Sequence, residues 1–184
     1  MSIDTEDPSQ KTDPPRGKSP AFVDYIINRC QADNGLRAAL KRADNFATEY
    51  QSWEVLAGFH INLEYENQRL PHAAIAAAIA RSKVEENGAA KIGQAIARCY
   101  EDGNASDQAK ARLRRLLACD SVPEACRILR PLFSLIESKA NIVLDYASRL
   151  NDLLRFSHED SRAHIKARWA QDFYGRPAEG GKDE

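Results

Sequence analysis

Between Ala109 and Phe133 the sequence reads AKARLRRLLACDSVPEACRILRPLF, and this stretch constrains the fold more than any other. At roughly 100° per residue, Leu113, Leu116 and Leu117 fall on one side of a first helix, Arg114 and Arg115 on the far side, and Arg112 at its edge. The leucines require a core to face. In a second helix Ala125, Ile128, Leu129, Leu132 and Ile136 form the inward stripe, which assigns Arg127, Arg130, Ser134 and Ser138 to the opposite face. Two helices packed through such stripes present an outward basic surface, the kind of surface that suits a polyanion.

Flanking segments read as further helices. Ser19 can cap a helix that has Pro20 at its first position and carries Phe22, Tyr25 and Ile26. Asp33-Asn34-Gly35 interrupts it, and the next helix gathers Leu36, Ala39, Leu40 and Ala43, leaving Arg37, Lys41 and Arg42 as a second basic cluster. Pro71 is expected to open HAAIAAAIARSK, a core helix whose alanines permit close approach and whose Ile75 and Ile79 anchor it. Breakers follow at Asn87-Gly88 and Asp102-Gly103-Asn104. Ser121-Val-Pro-Glu124 has the pattern of a capping box, and Ser157-His-Glu-Asp160 reads as a similar start for a last helix with Ile165, Trp169 and Phe173 inward. Pro131 should kink its helix or start a new one.

These segments define an all-α protein, expected as two small helical bundles in tandem, residues 19–103 and 105–175, divided near residue 104. Residues 1–18, rich in Pro, Ser and charge, are expected to be a disordered tail, and 176–184 a frayed one. Trp53, Phe59 and Trp169 lie in apolar helical patterns and are assigned to the core. Asp145 and Asp152, each about one turn from Arg149, read as an exposed salt-bridge ladder.

Net charge is -1, so attraction to nucleic acid has to come from a local patch. Four cysteines, at 30, 99, 119 and 126, show no close pairing, and no signal peptide or long apolar run is present. The expectation is a cytoplasmic protein with reduced, buried thiols and no membrane contact. His60, His72, His158 and His164 lack metal-ligand spacing, and no phosphate loop, nucleophile elbow or HExxH motif occurs. No enzyme, metal site or cofactor is expected.

The segments RLRRLLACDS, LRPLF, LDYASRLNDLLRF and WAQDFYG follow one another in an order that resembles the small subunit of the type I-E CRISPR surveillance complex Cascade, the CasB family. Upstream, DNGLRAALKRA at 33–43, WEVLAGFH at 53–60 and KIGQAIARC at 91–99 extend the resemblance over about residues 20–175. Some family members carry a second arginine where this chain has Pro131. The resemblance implies a non-catalytic structural subunit, two copies of which lie along the assembly against its repeated backbone subunits and its large subunit. It would help to hold the CRISPR RNA, the paired target DNA and the displaced strand. On this reading Arg37, Lys41, Arg42, Arg112, Arg114, Arg115, Arg127, Arg130 and Lys166 are the nucleic-acid-binding candidates. Two other classes compete: a helical DNA-binding regulator, for which the outward face of 109–118 offers no asparagine or glutamine for base readout, and a scaffold that touches only protein.

Overall fold

Asp33 ends one helix and begins the next. The first, α1 (Lys18–Ala32), buries Phe22, Val23, Ile26, Ile27 and Cys30 along one stripe. At extended dihedrals Asp33 leaves that helix, and its carboxylate accepts a 2.9 Å hydrogen bond from the Leu36 backbone N–H at the start of α2 (Asn34–Arg42). An Asp cap of this type satisfies one of the orphan donors of a helix start. Helix α1 begins ahead of the expected cap: Ser19 is buried inside it, and Pro20 sits within the first turn, where a missing N–H has no partner to lose.

The computed structural model describes residues 17–175; among these there are nine α-helices and no strand. The expected tails, 1–18 and 176–184, lie outside that range except for Gly17 and Lys18, which cap and open α1. After α2 a 3-10 turn (Glu49–Ser52) leads into α3 (Trp53–Gly58) and then α4 (Glu66–Ser82). The last starts at Glu66 and not at Pro71, which lies inside it and leaves the Asn67 carbonyl without its helical partner. Every residue from Leu70 to Ala80 is buried. Lys83, in the left-handed conformation at φ 55°, ends the helix.

The second half comprises α5 (Ile92–Arg98), a 3-10 turn (Gly103–Ala105), α6 (Asp107–Leu117), α7 (Val122–Lys139), α8 (Tyr146–Arg155) and α9 (Glu159–Tyr174). Ser106 caps α6 and Asp145 caps α8. Ser121 caps α7 as expected, while Glu124 reaches back one residue further than a standard box, to the Asp120 N–H at 3.0 Å. The expected start at Ser157 is displaced: the residue before α9 is His158, whose side chain makes no capping bond. Pro131 neither ends nor restarts α7, which runs through it with the ring on the exposed side.

The fold is all-α, and its N-terminal and C-terminal helices share core contacts. A 3-10 turn does fall at residue 104, yet one connected core runs across it. Helix α4 packs on α7 and α8 as well as on α1 and α2, and α5 packs on α9. The reason is in α4 itself, since a helix that is apolar all round cannot be covered by the N-terminal helices alone. The two halves are also stitched by their loops: the Gly88 N–H donates to Leu144 O, the Ala90 N–H to Val143 O and the Asp145 N–H to Ala90 O, at 3.0–3.2 Å.

Trp169 is fully buried and stacks on Phe156, and Ile165 and Phe173 face inward beside it. Its indole N–H donates to Asp152 at 2.9 Å. Arg149 and Asp152 are therefore not an exposed ladder. Both are buried, 3.2 Å apart, with Arg168 closing on the other carboxylate oxygen. No helix among the described residues is long and apolar enough to cross a membrane.

Gly93 marks a close backbone approach between α5 and α9. A Cβ there would stand 2.4 Å from the Trp169 carbonyl oxygen and 2.5 Å from the Phe173 nitrogen. Gly93→Ala is expected to cost about 1–3 kcal/mol by overpacking, seen as a fall of several degrees in Tm.

Candidate nucleic-acid interface

Helix α6 buries Ala109, Leu113 and Leu116 and leaves Arg112, Arg114 and Arg115 exposed. None of these three arginines has a carboxylate partner among the described residues. Arg114 and Arg115 lie in the last turn, where cations complement the negative end of the helix. These side chains are solvated and aimed outward, as periodicity requires.

The remaining candidates separate by environment. Arg127 is exposed on α7, its guanidinium 5.6 Å from the centre of the Phe46 ring. Lys41 and Arg42 are exposed at the end of α2, with Arg42 Nε donating to Gln51 at 2.9 Å. Phe46 lies four residues beyond Arg42 in the chain. By contrast Arg37 is half-buried and donates to the Ala80 carbonyl at 3.2 Å, near the end of α4. Lys166 is half-buried with Nζ 2.9 Å from Asp120, whose carboxyl it holds below the usual carboxylate range. Both cations serve internal contacts.

Arg130 departs furthest from expectation. It does not face outward: the residue is 5% exposed, donates from Nη1 to Ala43 O at 3.2 Å and lies 3.6 Å from the Glu49 carboxylate. Glu49, itself buried, also accepts from Arg69 Nε at 2.8 Å. Trp53 errs in the other direction. Assigned to the core, it is 41% exposed, with Arg69 5.8 Å from its ring centre, while Val55 and Leu56 take the buried positions.

Together these positions allow backbone neutralisation and little else. Five of the nine candidates, Arg112, Arg114, Arg115, Arg127 and Lys41, are exposed and have no ion-pair or hydrogen-bond partner for their charged groups among the described residues, and Arg42 is exposed with a neutral partner. The cysteines are all free and buried. Burial pushes the Cys119 thiol up to about 11 and the Cys126 thiol up to about 12, so neither is a thiolate at neutral pH.

Fold and surface define a helical protein with local cationic faces and one core. The chain belongs to the Cse2 family: residues 36–174 match the family described as CRISPR-associated protein Cse2. It is 34% identical over 115 residues to the CRISPR-associated protein Cse2 of Thermus thermophilus, a stretch that is 61% of each chain, so it spans about three-fifths of that relative. The crystal structure of CasB from Thermus thermophilus is similar at a TM-score of 0.67, with 23% identity over 88% of this chain and 100% of that one. A chain of a CRISPR RNA-guided surveillance complex is similar at 0.64, with 21% identity over 85% of this chain and 89% of that one.

The burial difference between Arg127 and Arg130, three residues apart, is directly measurable. Arg130→Ala leaves Glu49 with one cation fewer in a buried site and is expected to cost about 3 kcal/mol, a fall in Tm of about 6–12 °C. Arg127→Ala should cost less than about 0.5 kcal/mol. Thermal denaturation of the two variants checks the order.

Proposed function

We propose that this chain is a non-catalytic structural subunit of a CRISPR RNA-guided DNA surveillance complex, stabilising the guide–target R-loop and the displaced strand. The observation that carries the reading is the set of unpaired, exposed arginines on the outer face of α6, Arg112, Arg114 and Arg115, in a chain whose net charge is only -1. Membership in the Cse2 family and likeness to a chain of a surveillance complex support it. The partners are the backbone and large subunits, the CRISPR RNA and the target DNA, with two copies of the chain per assembly, in the cytoplasm.

The physics needs no base readout. Exchanging DNA–DNA for RNA–DNA pairing is nearly balanced in free energy, so neutralising phosphates along the opened strands tips the exchange without reading sequence. Lys41 would add a further phosphate contact at the end of α2. Arg130, Arg37 and Lys166 contribute indirectly, by holding the helices that present the exposed cations.

Replacing Arg112, Arg114 and Arg115 together with alanine should leave the fold intact, because all three side chains are exposed. Target binding by the assembled complex is expected to weaken, and the slope of log affinity against log salt to fall by roughly 0.7–0.9 for each phosphate contact removed. The effect should be the same for two unrelated guides. An unchanged slope would overturn phosphate contact, and loss of the subunit from the complex would assign the arginines to protein.

A further inference from the structure

Phe46, Tyr50 and Trp53 are all exposed, at 46%, 60% and 41%, within eight residues of chain. Tyr50 lies in the 3-10 turn that runs directly into α3 at Trp53, and the spacing of three puts these two side chains on one side of it. Their backing is a continuous series of contacts. Arg69 lies against the Trp53 ring and donates to Glu49; Glu49 faces Arg130; and Arg130 and Arg127 lie 5.2 and 5.6 Å from the centre of the Phe46 ring. A buried ion network thus fixes two of the three rings in place. Arg127 lies against Phe46 and Arg42 donates to Gln51, between Tyr50 and Trp53 in the chain, and neither has a carboxylate partner among the described residues.

Such a patch differs in kind from the outer face of α6. Rigid aromatic and arginine side chains are the residue types that dominate protein–protein contacts, where they insert as anchors inside a rim that excludes water. A stacking platform for single-stranded nucleic acid needs open ring faces over a cationic groove. Here guanidinium groups of the chain itself lie against Phe46 and Trp53. An acidic protein segment with apolar side chains would meet the rings centrally and the unpaired cations at the edge.

We infer that Phe46, Tyr50 and Trp53, rimmed by Arg127 and Arg42, form a protein-docking surface for an acidic, partly apolar segment of a neighbouring subunit. The inference rests on the subunit reading above and adds to it where a protein partner binds. Phosphate contacts are then carried chiefly by α6.

The test uses the remaining subunits assembled on guide RNA without this chain, and measures rejoining of the purified full chain. Tyr50→Ala/Trp53→Ala is expected to weaken rejoining by about tenfold or more and to leave retention of a short single-stranded oligonucleotide by the isolated chain unchanged. Tyr50→Ala alone, at the most exposed ring, should weaken rejoining severalfold and decides the matter if the double variant does not fold. Rejoining at wild-type strength by either folded variant would overturn the docking surface. So would loss of oligonucleotide retention in proportion, which would make the rings a nucleic-acid platform. Failure of the wild-type chain to rejoin would overturn the subunit reading itself, and the docking surface with it.

Discussion

An alanine-rich helix with no solvated face dictates where its neighbours go. Because Leu70 through Ala80 are all buried, α4 requires cover on every side, and the small side chains at 73, 74, 76, 77, 78 and 80 let the covering helices approach closely while Ile75 and Ile79 fill the space between them. Helices α1 and α2 cover part of it, and α7 and α8 the rest. That arrangement fixes α7 against the loop after α2, which is how Arg130 comes to be enclosed and Phe46 comes to lie beside Arg127. The charged surface is thus a product of the apolar one.

Where the sequence pattern was strict, it could be read directly. The stripes of α6 and α7, the Ser121 cap, and the inward series Ile165, Trp169 and Phe173 all follow from a period of 3.6 residues and from local hydrogen bonding. Arg130 was misread for a geometric reason: at about 100° per residue it lies only about 40° from Cys126, on the flank of the stripe and not opposite it. Whether a flank is solvated depends on what covers it, and here the cover is a segment some eighty residues earlier in the chain. Arg149 and Asp152 were misread similarly, since α9 encloses them. Trp53 failed the other way, because apolar character alone does not distinguish a core residue from an exposed anchor.

The candidate site was legible to the same degree. Arginines whose neighbours are local, such as Arg112, Arg114 and Arg115, stand where their helix puts them. Cations within reach of a distant carbonyl or carboxylate, as Arg37, Lys166 and Arg130 are, had been taken up by the fold. Sequence counts positive charge, but only packing shows how much of it remains for a partner.

The joined loops have a consequence for how the chain comes into being. Asn87 reaches across to bind Asp145 and the backbone N–H groups of Tyr146 and Ala147, so the start of α8 is held by a residue 58 positions earlier. During synthesis the first four helices emerge with one flank of α4 bare, and it stays bare until α7 and α8 have left the ribosome. Over that interval the nascent chain presents an apolar surface with nothing of its own to place on it, a window in which association with other chains competes with folding.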